Sequence, residues 1–153
     1  MALSLRTAVV DDADAMEALR LHSLQDVPAD PDGVTRLRGY LTLPTNHGVL
    51  AHDEGTLVGW AMTRFVDEAD APPGWYLLGV VVHPDWRRRG VARALTDERL
   101  AWLTPRAERV FSFTAPENHA AMAMHAAHGF TEVRRDFTMR GRTGMVLFER
   151  TLR

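Results

Sequence analysis

The chain has 153 residues, enough for one domain built around one core. Hydrophobic residues make up 46% and charged residues 25%, an ordinary globular mixture, and no run of about 18 apolar residues offers a membrane span. The net charge of -2 gives no overall attraction for nucleic acid; the absence of cysteine excludes disulfides, thiolate metal sites and a cysteine nucleophile, and because all 18 basic residues are arginine a lysine nucleophile is excluded too.

The opening MALSLRTAVVDDADAM lacks a basic region followed by an apolar block, so no secretory signal is expected and a cytoplasmic location fits. LSLRTAV alternates and reads as a first strand. DDADAMEALRLHSLQ reads as a helix with acidic residues in its first turn, where the helix dipole favours them, and Met16, Leu19 and Ser23 fall on one face. VPADPDG is a turn-rich break, and residues 34–43 read as a shorter helix stopped before Pro44. HGVLAHDEGTLVGWAMTRFV reads as a hairpin turning at Asp53, Glu54 and Gly55. DEADAPPG is a loop. Residues 75–82 are too continuously apolar for a half-exposed strand and are placed centrally. Residues 88–103 read as a helix, with Val91, Leu95 and Trp102 at helical spacing and Pro105 as its stop. RVFSFTA is the next strand, and residues 116–128 a helix ended by Gly129. GFTEVRRDFTMRG and GMVLFERTL close the chain as an antiparallel pair. The order predicts an α+β fold with a mixed, mostly antiparallel central sheet flanked by helices, as a single domain over residues 1–153.

VVVHPDWRRRGVARAL gathers positive charge at the mouth of a helix. A helix N-terminus carries unpartnered N–H groups and a partial positive charge, and an anion satisfies both. Gly90 and Ala92 keep the turn small, so that backbone can approach a phosphate, and Arg87, Arg88, Arg89 and Arg93 supply planar guanidinium groups suited to it. Two readings fit these residues taken alone: a solvated basic helix start, and a phosphate cradle. RNA contact is disfavoured, because no aromatic residues interleave with the arginines.

Arg87-x-x-Gly90-x-Ala92 after VVVHP resembles the acyl-CoA signature of the GCN5-related N-acetyltransferase (GNAT) superfamily: Arg or Gln, two residues, Gly, one residue, then Gly or Ala. ENHAAMAMHAAHGF resembles a second family landmark, an Asn followed by a short helix and Gly-Phe. Both stand in family order, and the resemblance spans nearly the whole chain. It implies a GNAT fold whose splayed strands form an acetyl-CoA cleft. The pantetheine arm would pair with backbone of the strand bearing Val80, Val81 and Val82. The diphosphate would lie on the amides of Arg88, Arg89, Gly90, Val91, Ala92 and Arg93, and Asn118 would hydrogen-bond the pantetheine. It also implies that homodimers are common.

The implied reaction is direct acetyl transfer from acetyl-CoA to a primary amine of a small molecule or peptide, with no metal, no nucleic acid and no membrane partner. At pH 7 only about one alkyl amine in a thousand is the free base, a handicap of roughly 4 kcal/mol that a proton acceptor must offset. Many family members place a Tyr seven residues after the Asn to protonate the leaving thiolate; here that position is His125, a proton donor or a packing residue. His125 also makes the stretch similar to aminoglycoside 6'-N-acetyltransferases, but Leu78 stands where those enzymes carry a substrate-facing Glu. Glu68, within the acidic loop of Asp67 and Asp70, is a candidate to attract a cationic amine, and Trp75 and Tyr76 are candidates to line the acceptor pocket; solvation of the loop and strand packing explain them as well. His83 is read first as a turn residue, Glu117 as a helix-start residue, and His119 and His128 as surface residues. A non-catalytic CoA-binding regulatory module is the alternative from another class. The acceptor side is expected within residues 21–45, where no motif stands out.

Overall fold

The structure is a computed structural model that describes residues 1–24, 29–68 and 70–153. Among these residues seven strands form one mixed sheet in the order β1-β2-β3-β4-β5-β7-β6: β1 (Leu3–Thr7), β2 (Asn46–Asp53), β3 (Thr56–Val66), β4 (Gly74–Val82), β5 (Arg109–Thr114), β6 (Thr131–Met139) and β7 (Arg142–Thr151). Among the described residues four α-helices accompany it: α1 (Ala13–Ser23), α2 (Gly33–Thr42), α3 (Val91–Leu103) and α4 (His119–Ala127). Two hairpin turns have paired positive φ angles, Glu54 (49°) with Gly55 (85°) and Arg140 (52°) with Gly141 (79°), the geometry that matches strand twist in two-residue connections.

The chain divides into two compact units. Unit one comprises Met1–Thr63 and Leu78–Arg99. One of its clusters packs Met16, Leu19, Leu37, Leu50, Trp60 and Met62 around Val81. The Trp60 indole N–H, buried with its ring, donates to the Met16 carbonyl at 2.9 Å and so ties β3 to α1. A second cluster seats Val91 and Leu95 of α3 against Val49, Ala51, Val58 and Ala61. Gly59 permits this seat. A Cβ there would lie 2.8 Å from Val91 Cγ1 and 3.1 Å from the Val81 carbonyl, so only glycine lets the start of α3 lie so close to β3. Arg99 is buried in the same unit, donating to the Met62 carbonyl at 3.1 Å and to Thr96 Oγ1 at 3.2 Å. Desolvation pulls its pKa down to about 9.

Unit two comprises Arg64–Leu77 and Leu100–Arg153. Leu77, Leu100, Leu103, Val110, Phe130, Val146 and Phe148 form its core. β5 and β7 are antiparallel with Phe111 opposite Glu149, and β4 meets β5 in parallel at Tyr76 and Phe111.

Three helix starts differ by two residues or more from the sequence reading. The first helix is preceded by a 3₁₀ turn at Val10–Asp12, where the Asp12 carboxylate accepts from Val9 N and holds Arg6. α3 starts at Val91 rather than at residue 88, because Arg88 (φ 63°) and Gly90 (φ 83°) are left-handed and cannot belong to a right-handed helix. α4 starts at His119 because Asn118 caps it, accepting from Ala121 N at 3.1 Å. Val27 and Pro28, in the turn-rich break, lie outside the described residues.

Candidate functional site

The exit from β4 is where the arginine turn is built. β4 does not stay buried, contrary to its unbroken apolar sequence: Gly79 and Val80 are exposed, while Val81 turns inward. Gly79 has φ 73°, a left-handed residue within a strand, and the usual alternation of faces breaks there. An isolated glycine in an apolar strand was the sequence signal for this bulge. After Val82, His83 Nδ1 accepts from Asp85 N at 3.1 Å and shapes a short 3₁₀ turn, Pro84–Trp86, which bears out the turn role read for His83.

The left-handed residues Arg88 and Gly90 then deliver the chain into α3, whose first helical bond runs from Ala94 N to the Gly90 carbonyl at 3.0 Å. The amides of the first turn therefore lie ahead of the ladder, as an anion site requires. A concavity of about 160 Å³ is lined by Val82, Trp86, Arg87, Arg88, Gly90, Val91, Ala92 and Arg93. Arg89 is exposed and does not line it. The guanidinium of Arg87 donates to the Ser23 carbonyl at 2.6 Å, so this arginine also clamps the turn to the end of α1. Trp86, which the sequence reading passed over, donates its indole N–H to Asp53 Oδ2 at 2.9 Å; this bond, with Ala2 N on the same carboxylate, holds the Asp53 carboxyl below the usual range.

A larger cavity, about 590 Å³, lies elsewhere in unit one between α1, α2 and Trp60. Its lining includes Glu17, Arg20, Asp30, Arg36, Tyr40 and Trp60, none of which the sequence reading singled out. Glu17 is buried and takes Arg20 Nε on both carboxylate oxygens, at 3.1 and 3.0 Å. Its hydrogen bonds raise the Arg20 pKa. Gly33 makes room for this carboxylate: a Cβ there would lie 2.7 Å from Glu17 Cδ. The start of α2 thus faces a buried negative charge, the favourable sense of its dipole. At the other wall Arg36 pairs with Asp30, whose pKa falls chiefly through that bond.

In unit two, His125 is buried between Phe130 and Phe148, at ring distances of 5.5 and 5.0 Å, and its Nε2 lies 2.7 Å from Ser112 Oγ. Asn118 is exposed; its carboxamide oxygen serves the helix cap. Glu68 is held by Arg140 at 2.9 Å. Trp75 is half-buried, edge-on to Phe65 and Trp102. Tyr76 does not present itself to an acceptor. It is fully buried, stacked on Phe111 at 5.1 Å, with its hydroxyl donated to the Pro72 carbonyl at 2.8 Å and its pKa pushed up to about 12 by burial. Among the described residues no His, Asp and Glu side chains cluster as a metal site, and no helix is long and apolar enough to cross a membrane.

A mixed sheet whose central strand feeds a left-handed arginine turn into a helix N-terminus defines a class of α+β protein with a helix start of the kind that can receive an anion. Residues 13–130 match the model of the acetyltransferase (GNAT) family, and the chain belongs to that family. It is 32% identical over 115 residues to an aminoglycoside N(6')-acetyltransferase type 1 of Salmonella typhimurium, covering 71% of this chain and 79% of that one. It is 32% identical over 122 residues to the N-alpha-acetyltransferase RimI of Mycobacterium tuberculosis, covering 79% and 75%. The structure of AAC(6')-Iy in complex with the bisubstrate analogue CoA-S-monomethyl-acetylneamine superposes with a TM-score of 0.77 at 26% identity, covering 93% of this chain and 99% of that one.

Proposed function

We propose that this acetyltransferase moves an acetyl group from acetyl-CoA directly to a primary amine of a small molecule or peptide. The observation that carries the reading is the turn through Arg88 and Gly90, with its concavity in front of the first amides of α3. The residues present fit the donor. The small Gly90 and Ala92 leave the backbone approachable, and Arg88 and Arg93 flank it with charge. When bound, acetyl-CoA supplies the activated thioester.

The chain's own residues do the rest. Amides of Val91, Ala92 and Arg93 receive the diphosphate, and Arg87 braces the turn against α1 while adding positive charge. The strand end at the exposed Val80, beside Val81 and Val82, offers strand-like pairing to the pantetheine, and the carboxamide nitrogen of Asn118 offers it a donor. His125 acts through Ser112: the 2.7 Å contact lets the pair hold a proton at the Ser112 hydroxyl for the departing sulfur. On the same reading the enzyme acts in the cytoplasm and is able to pair as a homodimer; light scattering in solution tests the pairing.

Calorimetric titration with acetyl-CoA, a thermal melt and thiol release with a panel of amines test the function. Donor at 100 times its dissociation constant adds about 2.7 kcal/mol to stability. No binding at millimolar acetyl-CoA refutes the reading; binding without thiol release from any amine supports a non-catalytic CoA-binding module instead.

A further inference from the structure

The cavity between α1, α2 and Trp60 has a definite electrostatic character. Among the described residues its charged lining is Glu17, Asp30, Arg20 and Arg36, two negative and two positive groups. The charges are also ordered in depth. Glu17 is buried, whereas Arg36 is half-exposed at the mouth with Asp30. Between them stand the apolar faces of Leu37, Tyr40 and Trp60.

Two contacts connect this cavity to the donor turn. Trp60, a wall of the cavity, faces Gly79, where a Cβ would come within 3.8 Å of its ring; Gly79 adjoins the exposed Val80. α1 carries Glu17 and Arg20 into the cavity and at its other end gives the Ser23 carbonyl to Arg87. The deep end therefore lies beside the strand that receives the acyl arm under the reading above.

We infer that this cavity is the acceptor pocket and that it takes a small zwitterion, an amine carrying its own carboxylate, of amino-acid or dipeptide size. The amine enters first, toward Glu17 and Trp60, and the carboxylate remains at the mouth on Arg36. Arg36 uses Nη1 on Asp30 and has further N–H groups for a second carboxylate. A volume of about 590 Å³ accommodates such a ligand with an apolar or aromatic side group.

The inference rests on the acetyltransferase reading, and the experiment separates the two. Acetyl-CoA affinity is measured first by calorimetry. Thiol release is then compared for phenylalanine and methionine, dipeptides, phenylalaninamide (which lacks the carboxylate), and the polycations neamine and spermine. Binding of the same amines to CoA-loaded protein is titrated without turnover. The acids should bind about tenfold or more tightly than the amide, since one charge-assisted hydrogen bond distinguishes them. Arg36→Gln, at a half-exposed site that folding tolerates, should raise KM for the acids about tenfold with kcat and acetyl-CoA affinity unchanged, and leave the amide unaffected. Equal binding of acid and amide, preference for polycations, or an Arg36→Gln variant with the parent's KM overturns the inference while acetyl-CoA binding stands. Failure of acetyl-CoA to bind overturns the donor assignment itself.

Discussion

Replacement of Gly90 separates backbone strain from ligand contact at the donor turn. Gly90 has φ 83°, and an added Cβ would meet no heavy atom within 4 Å. Gly90→Ala therefore brings no clash, only the strain of a left-handed L-residue, about 1–2 kcal/mol of stability. Gly90→Glu carries the same strain and adds a carboxylate in the open space where the diphosphate is placed. At about 5 Å a like charge opposes a phosphate by roughly 0.8 kcal/mol in water and 3.3 kcal/mol at an effective dielectric of 20. That corresponds to about a 4-fold to 300-fold loss of affinity beyond the Ala variant. Both variants should melt together, a few degrees below the parent, while calorimetry shows the Glu variant far weaker in acetyl-CoA binding. Equal affinity of the Glu and Ala variants would refute the placement of the phosphate at this turn. A Glu variant that melts well below the Ala variant would show that the added side chain disturbs the fold and not the ligand.

Gly59→Ala should destabilise unit one by about 1–3 kcal/mol, because its Cβ would press on Val91 Cγ1 and Leu95 Cδ1 at 2.8 and 3.2 Å; a urea titration reads the loss, and acetyl-CoA affinity should fall as the start of α3 is displaced. Asp12 has its pKa lowered, first by the hydrogen bond from Arg6, so the stability it contributes is present above the unfolded pKa near 4 and is lost as pH falls through the folded value. Asp12→Asn should thus cost about 1 kcal/mol at pH 7, after allowance for solvent screening, and progressively less as pH falls below the unfolded pKa, as urea titrations across that range would show. His125→Phe should lower turnover by about 10²–10⁴ with acetyl-CoA affinity retained, and His125→Tyr should keep much of the activity with a shifted profile between about pH 6 and 9. A Phe variant as active as the parent would leave His125 a packing residue between Phe130 and Phe148.

Local signals carried much of the fold. Alternation and turn residues located the hairpin at Glu54 and Gly55, and the apolar run before Pro84 located the central strand, because period and punctuation are properties of neighbouring residues. The arginine turn was legible for the same reason: its arginines, Gly90 and the helix they open are contiguous, and seven of the eight residues lining its concavity stood among the sequence candidates. Gly79 carried a signal that the continuity of its apolar neighbours masked.

What remained hidden was assembled from distant residues. Glu17, Asp30, Arg36 and Trp60 face one cavity only because α1 and α2 pack over β3, and a salt bridge within a helix looks the same in sequence whether it faces solvent or a pocket. Tyr76 and Trp75 are adjacent in sequence, yet the pleat buries one fully and leaves the other half-exposed. The family resemblance offered His125 as a proton donor or a packing residue from its place after Asn118, but Ser112, 2.7 Å from its Nε2, comes from β5. The contiguous turn needs only backbone geometry and local charge, so the chain's order determined it; the cavity between α1, α2 and Trp60 needs three elements brought together by burial of their apolar faces, so the tertiary structure decided it.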